Sequence, residues 1–224
     1  MTVSVITIDG PVSSGKGTVA REVAIKLGWH LLDSGALYRV LGYHATQIGV
    51  ALDDEAKLVK LAKALPVSFV ERDGDTLVML DGVDVGNTIR AEEVGELASK
   101  VAIFQPVRDA LLERQQSFAQ TPGLVADGRD MGTVVFTAAP LKIFLTASAE
   151  ERALRRYNQL KEKGFSATLA ALVEDIRNRD ERDMNRDVAP LRPADDALVV
   201  DSTTLSVIEV VDRILDEAQQ RSLL

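Results

Sequence analysis

Gly10-Pro11-Val12-Ser13-Ser14-Gly15-Lys16 places two glycines with four residues between them and a lysine directly after the second. The chemistry open to such a run is the holding of an anion. A glycine-bounded loop turns backbone N–H groups inward, a following helix N-terminus adds partial positive charge, and Lys16 can reach the outer phosphates of a nucleotide. A plain strand, turn and helix with a surface lysine would carry the same seven residues, so the flanking sequence matters. Val3, Val5, Ile6 and Ile8 predict a strand over Val3–Asp9, and Val19, Val23, Ala24 and Leu27 predict a helix straight after the loop. With both flanks present, Gly10–Thr18 reads as a P-loop. One position departs from the motif: Gly17 stands where Ser or Thr would put a hydroxyl on Mg²⁺, and the hydroxyl comes one residue later, at Thr18. Mg²⁺ is therefore expected to be held mainly by phosphates and water, which suits its reluctance to shed waters.

Three further runs carry charge in patterns that serve chemistry. Leu31–Arg39 contains Asp33-Ser34-Gly35-Ala36-Leu37-Tyr38-Arg39: Asp33 and Ser34 are placed to cap a helix, and Arg39 lies about one turn in, within reach of an anion. Ala126-Asp127-Gly128-Arg129-Asp130-Met131-Gly132 ends an apolar strand with two carboxylates and a guanidinium between glycines. It is either a tight turn with an internal Asp–Arg pair or a loop that approaches phosphate and a hydroxyl or metal-bound water. In Ile176–Arg186, Arg179, Asp183 and Arg186 fall at i, i+4 and i+7, one helix face, with Arg182 beside it. That face is either a salt-bridged surface or an anion site whose arginines are oriented by a carboxylate.

Alternating patterns of strand and helix call for an α/β fold with a parallel sheet. The expected core strands are Val3–Asp9, His30–Asp33, Leu124–Asp127, Leu141–Thr146 and Ala197–Asp201. Four end in a carboxylate, Asp9, Asp33 and Asp127 among them, and ligands of such sheets bind beyond the carboxyl ends of the strands. Residues 68–89 break the rhythm. Ser68–Glu71 and Thr76–Leu80 flank Asp73-Gly74, and Asp81-Gly82 leads to Val83–Val85, a three-stranded antiparallel patch. Helices Ala36–Ile48, Asp54–Ala64 and Ala91–Ala102 surround it, and a helix begun by Pro106 resumes the main fold. Gly164 separates helical patterns over Glu150–Lys163 and Ser166–Asn185, a hairpin with arginines on both arms. The last helix, Ser206–Gln220, has a core stripe of Val207, Val210, Val211, Ile214 and Leu215.

Composition narrows the classes. The 224 residues are 46% hydrophobic, enough for a sizeable core. The chain has no cysteine, which removes disulfides, thiolate zinc sites and thiol catalysis and fits a reducing cytoplasm. No apolar run is long enough to span a membrane, and strand 1 leaves no room for a signal peptide. The net charge of −8 argues against nonspecific binding to nucleic acid or anionic membrane, although the segment Arg152–Arg192 is locally basic.

Taken in order, four segments resemble the bacterial cytidylate kinases: Ile8-Asp9-Gly10-Pro11 with Ser14-Gly15-Lys16-Gly17-Thr18, then Asp33–Arg39, then Asp127-Gly128-Arg129-Asp130-Met131-Gly132-Thr133-Val134-Val135-Phe136, then Arg179-Asp180, Asp183 and Asn185-Arg186. The Gly-Lys-Gly-Thr form is itself that of many small-molecule nucleotide kinases. The resemblance implies a P-loop NTPase-type five-stranded parallel sheet flanked by helices, with a monophosphate-binding insertion and a short helical lid. It divides the chain into core 1–36, insertion 37–104, core 105–149, lid 150–165 and core 166–224. It implies transfer of the γ-phosphoryl group of ATP to CMP or dCMP, with Mg²⁺ accompanying ATP. Gly10, Pro11, Val12, Ser13, Ser14, Gly15, Lys16, Gly17 and Thr18, with Arg152 and Arg156, are then expected at ATP. Asp33, Ser34, Arg39, Ser99, Arg108, Arg129, Asp130, Arg179, Asp183 and Arg186 are expected at CMP. Lys16, Arg129, Arg155 and Arg179 are the expected catalytic residues, and Asp33 or Asp127 the residues that would organise Mg²⁺ through water. A cytoplasmic monomer is expected, with no nucleic-acid or membrane partner.

Two other classes remain. A P-loop kinase acting on UMP, AMP or a non-nucleotide acceptor shares the loop but not the separated motifs. A nucleotide-dependent switch of the GTPase kind would carry Asn-Lys-x-Asp for guanine, and this chain has none.

Overall fold

The computed structural model describes residues 3–72, 75–162 and 166–223. In chain order the elements are β1 (Val5–Asp9), α1 (Lys16–Leu27), β2 (His30–Asp33), α2 (Ser34–Gln47), α3 (Glu55–Lys63), β3 (Val67–Arg72), β4 (Asp75–Leu80), β5 (Val83–Asp84), α4 (Glu92–Val101), α5 (Gln105–Gln116), β6 (Leu124–Gly128), β7 (Leu141–Thr146), α6 (Ala149–Glu162), α7 (Leu169–Asn185), β8 (Leu198–Asp201) and α8 (Val207–Gln220). The expected alternation is present, with His30–Asp33 and Leu141–Thr146 as expected and the other boundaries displaced by no more than three residues. The Asp73-Gly74 turn and Gly164 lie outside the described residues. Two compact units result: Met1–Leu32 with Phe118–Leu224, and Asp33–Ser117.

The first unit is built on a five-stranded sheet in the order β2-β6-β1-β7-β8, with β1 parallel to both β6 and β7, and β7 parallel to β8. All five residues of β1 are buried, as a central strand covered on both faces requires. Strand side chains alternate between faces, and here the two faces differ in kind. Ile6, Ile8, Val125, Ile143, Leu145 and Val200 pack under α1 and α8, whose inward stripes are Val19, Ala20, Val23 and Ala24, and Val210, Val211, Ile214 and Ala218. In the expected α8 stripe, Val207 turns out 40% exposed and Ala218 takes the last inward place, because Val207 is the first residue of the helix, just past its Ser206 cap. The opposite face carries Thr7 and Asp9 on β1, with Lys142 and Phe144 as their partners on β7. A single π turn, Met131–Val135, lies against this face. The sequence reading treats these residues as loop. The turn exists because the carbonyl of Asp130 accepts from both Val134 and Val135, at 2.9 and 3.2 Å.

The second unit has its own core, with Leu41, Leu58, Val101, Val107 and Leu111 fully buried. Its sheet is antiparallel, in the order β3-β4-β5, with Val67 opposite Leu80 and Leu80 opposite Val83. Asp81 and Gly82 both have positive φ, 49° and 78°, the type I′ geometry that the Asp-Gly pair anticipates. Helices α2 and α4 cross closely at Gly42. A Cβ there would lie 2.8 Å from Leu97 Cβ and 3.0 Å from its backbone carbon.

Replacing Gly42 by alanine therefore overpacks the α2–α4 crossing. The expected loss is about 1–3 kcal/mol, the range for inserting a methyl group into a packed core. Urea denaturation of the variant against the parent measures it.

Candidate active site

The glycine loop begins where β1 can no longer continue. A Cβ on Gly10 would sit 2.1 Å from the Leu145 carbonyl oxygen, so this close pass of β1 against β7 needs glycine. Gly15, with φ 89°, caps α1, and Lys16 is the first helical residue. Lys16 Nζ donates to the Pro11 carbonyl at 3.1 Å, which folds its ammonium back over the loop. Two arginines of α6 support the same backbone. Arg152 donates to the Val12 carbonyl and Arg155 to the Ser14 carbonyl, each at 3.1 Å. A trans peptide points its C=O and N–H in opposite directions. The N–H groups of Ser13 and Gly15 therefore face away from those arginines, as an anion cradle needs.

Arg152 is 4% exposed and satisfied on all sides. Its Nε donates to the Ala147 carbonyl at 2.9 Å, and its terminal nitrogens form a two-pronged ion pair with Asp180 of α7. Arg155 also donates to the Ser202 carbonyl and hydroxyl, just beyond β8, and pairs with Glu151 one turn back. These two arginines thus sit at the base of the α6–α7 pair, against the back of the loop. Arg156 follows them, half-buried on α6.

The carboxyl ends of β6 and β1 place two carboxylates on opposite faces of the sheet. Asp127 pairs in register with Ile8 and points to the α1 side, where a Cβ on Gly17 would lie 3.2 Å from its Oδ2. The site that the motif gives to a hydroxyl is thus adjoined by a carboxylate. On the other face, Asp9 accepts from the backbone N–H groups of Met131 and Gly132, at 2.8 Å to each oxygen. Arg129, between these two features, donates from Nε to Asp183 of α7 at 2.6 Å. This cross-element pair replaces the local Asp–Arg pair within 127–130 that the sequence left open.

Arg179 and Asp183 are both buried on α7, 7% and 5% exposed. Arg186 is not on their helical face: it is the residue that ends the helix, extended at φ −68° and ψ 141°, and its Nε donates to the Ala189 carbonyl. It still bears on the site electrostatically. Burial by itself would raise the Asp183 carboxyl, but the charges of Arg129, Arg179 and Arg186 outweigh it and hold the group below its usual range. Asp9 goes the other way. Burial, with the nearby Asp130 carboxylate adding to it, pushes Asp9 up to about 7 against two backbone donors and Lys16. Asp130 is itself buried, 4% exposed, at the start of the π turn.

In the second unit, Asp33 caps α2 through the Ala36 N–H at 3.0 Å. Ser34, expected as a second cap, is instead the first helical residue, and its hydroxyl donates to Gln115 Oε1 at 2.8 Å, both buried. Arg39 donates to the Ile89 and Ala91 carbonyls, tying α2 to the entry of α4. Ser99 donates to the Gly95 carbonyl one turn back. Arg108 is buried, donates to the Ala102 carbonyl and stands 5.5 Å from the centre of the Tyr38 ring, a cation–π distance.

The sequence model of the cytidylate kinase family matches residues 6–220. The chain belongs to the cytidylate kinase family. It is 61% identical over 212 residues to a protein named cytidylate kinase from Colwellia psychrerythraea, covering 94% of each chain. It is 61% identical to one from Stutzerimonas stutzeri, covering 99% of this chain and 97% of the relative. The relative from Aeromonas hydrophila is 59% identical, with 97% and 94% covered.

Within this cytidylate kinase family member, four residues support the candidate site through contacts that its motifs do not reveal. Asp180 and Ser202 secure Arg152 and Arg155, Gln115 receives Ser34, and Asp9 holds the π turn. Asp180 has one signal in the sequence: with Ile176, Arg179 and Asp183 it completes an i, i+3, i+4, i+7 inward stripe on α7. Ser202 and Gln115 have none, because their partners lie tens of residues away.

A folded-state value raised from 3.8 to about 7 means that the native protein holds the Asp9 proton more tightly than the unfolded chain. That contribution to stability is complete below the unfolded value and is lost as pH rises through the window up to about 7. An asparagine at this position has no proton to lose and so no such dependence. The melting temperature of Asp9→Asn relative to the parent should therefore be more favourable at pH 8 than at pH 5, as calorimetry at both pH values would measure.

Proposed function

We propose that this chain transfers the γ-phosphoryl group of ATP to CMP or dCMP, giving CDP or dCDP and ADP, as part of pyrimidine nucleotide metabolism in the cytoplasm. The observation that carries the reading is the Arg129–Asp183 pair, its carboxylate buried and its guanidinium partly exposed, flanked by Arg179, in the same unit as the glycine loop. An ion pair already held by its carboxylate presents the remaining guanidinium donors to a planar anion or phosphate. No helix among the described residues is long and apolar enough to cross a membrane.

In this reading Gly10–Thr18 takes the ATP phosphates through backbone N–H groups, and Lys16 stabilises charge on the moving phosphoryl group. Arg155 and Arg152 act by fixing the loop, and Arg156 completes the ATP side. Arg129, Asp130, Arg179, Asp183 and Arg186 serve CMP, together with Asp33, Ser34, Arg39, Ser99 and Arg108 from the second unit. We read 37–104 as the acceptor-binding insertion, 150–165 as a lid and the chain as a monomer. The acceptor phosphate needs no general base, because its second ionisation lies at about pH 6. Orientation and charge stabilisation carry the rate. The structure offers a fit for Mg²⁺: Asp127 is buried beside the N-terminus of α1, where Gly17 leaves room for its carboxylate. Asp127 or Asp33 would hold the ion through water, and the ion would neutralise phosphate charge.

A coupled ADP-release assay with CMP, dCMP, UMP, AMP and GMP in turn tests the proposal. Turnover led by CMP or dCMP is expected, and turnover led by AMP or GMP overturns the acceptor. Lys16→Ala should lower kcat by at least ~10²-fold, the scale for one preorganised charge stabiliser. Near-parental turnover would remove Lys16 from the mechanism. Asp183→Ala should raise KM for CMP far more than KM for ATP, and steady-state kinetics in both substrates would show it.

A further inference from the structure

Asp9 is the last residue of β1 and sits immediately before the glycine loop, yet the proposed reaction gives it nothing to do. It is 4% exposed. Burying a carboxylate is expensive unless it is fully hydrogen-bonded. Asparagine would fill the same volume without the charge, so the carboxylate calls for a reason. The reason is geometric. Two successive N–H groups, those of Met131 and Gly132, point at this side chain, one to each oxygen at 2.8 Å. A carboxyl group offers two oxygens side by side, one for each donor. An amide would turn its NH₂ toward one of the two donors.

Everything around this contact is shaped to permit it. A Cβ on Gly132 would lie 2.9 Å from Thr7 Oγ1 and 3.2 Å from the Lys142 side chain, so the turn reaches the sheet only with glycine there. A Cβ on Gly128 would lie 2.7 Å from Met131 Cγ, so glycine again lets the turn fold back over the strand that precedes it. The anchor ends a fully buried strand, and the next residue, Gly10, packs so closely on the Leu145 carbonyl that a Cβ there would lie 2.1 Å from its oxygen. Arg129 stands two residues before the first clasped N–H, and its Nε meets Asp183 at 2.6 Å. A shift of the turn therefore shifts Arg129.

We propose that Asp9 is a positioning residue for phosphoryl transfer: its carboxylate clasps the start of the π turn and so holds Arg129 and Asp130 at a fixed distance from the glycine loop. The inference rests on the proposed function, since it assigns Arg129 to the acceptor phosphate. The charged groups facing Asp9 are Asp130 on the turn and Lys16 on α1. Its register partners on β6 and β7, Gly128 and Phe144, carry no charge.

The test is Asp9→Asn in the full chain, assayed with both substrates, with ADP binding measured by calorimetry. The expected result is kcat lowered about tenfold or more, as for a misplaced orienting group, and KM for CMP raised several-fold, with ADP affinity within twofold of the parent. Parental kcat and KM, or equal weakening of ADP and CMP, would overturn the proposal. Gly132→Ala, which displaces the turn while leaving Asp9 in place, should give the same split, and a parental kinetic profile in it would count equally against the clasp. Amide hydrogen exchange on the parent protein reads the contact without any substitution. The Met131 and Gly132 amides should be protected by a hundredfold or more relative to an open loop, and exchange at open-loop rates would refute the clasp. If no monophosphate is turned over in the acceptor screen, the function falls while amide exchange still decides the contact. If CMP is turned over and Asp9→Asn is fully active, only this inference falls.

Discussion

A charge withdrawn from water has to be met by an opposite charge or by aligned dipoles, and the carboxyl edge of the five-stranded sheet is organised by that demand. Asp9 is met by two backbone N–H groups of the π turn. Arg152 is met by Asp180 and by the carbonyls of Ala147 and Val12. Asp183 is met by Arg129, with Arg179 and Arg186 adding to the field. In each case the partners come from different elements: β1 and the turn, α6, α7 and the glycine loop, the turn and α7. Satisfying the buried charge and fixing the relative placement of those elements are one requirement. Leaving any partner out would strand a buried charge, which is far more damaging than losing an exposed pair.

The period of the strands then sorts these charges. Asp9 ends β1 and Asp127 is the last residue but one of β6, so they are one residue out of step in register and point to opposite faces. Asp127 turns toward α1 and the glycine loop, and Asp9 toward the turn that carries Arg129. Gly17 makes sense in the same frame. A side chain there would press on Asp127, so the missing hydroxyl of the loop and the presence of a carboxylate beside it are two sides of one packing choice.

Much of this was legible in the residues. Strands and helices follow from apolar period and caps, as with Ser206 and Glu209, whose reciprocal bonds open α8, and with Asp81-Gly82, whose positive φ pair closes β4 on β5. The loop Gly10–Thr18 announces itself because its chemistry lies in consecutive residues. The π turn did not, because an α turn and a π turn differ only in which N–H reaches the Asp130 carbonyl, and no residue type marks that choice. The pairs Arg152–Asp180, Arg155–Ser202 and Ser34–Gln115 were silent for a different reason. They span 28, 47 and 81 residues, and a contact at that separation is set by topology rather than by local pattern.

The charge run of α7 shows how burial decides between two readings that the letters leave level. A surface helix laced with salt bridges and an arginine site for an anion have the same composition. Here one face is a salt-bridged surface, and the other turns Arg179 and Asp183 inward. Arg177 pairs with Glu150 with both side chains more than 60% exposed, an arrangement of little energetic consequence. Two residues on, Arg179 is 7% exposed, and Asp183 beyond it is 5% exposed. Arg179 and Asp183 have given up side-chain freedom on folding, and Asp183 fixes Arg129. Under the proposed function, a phosphate would meet an ordered guanidinium there, so less entropy would be lost on binding than with free side chains. In a chain of net charge −8, such a patch need not rely on long-range attraction. Under the proposed function, its selectivity would come from preorganised donors at short range.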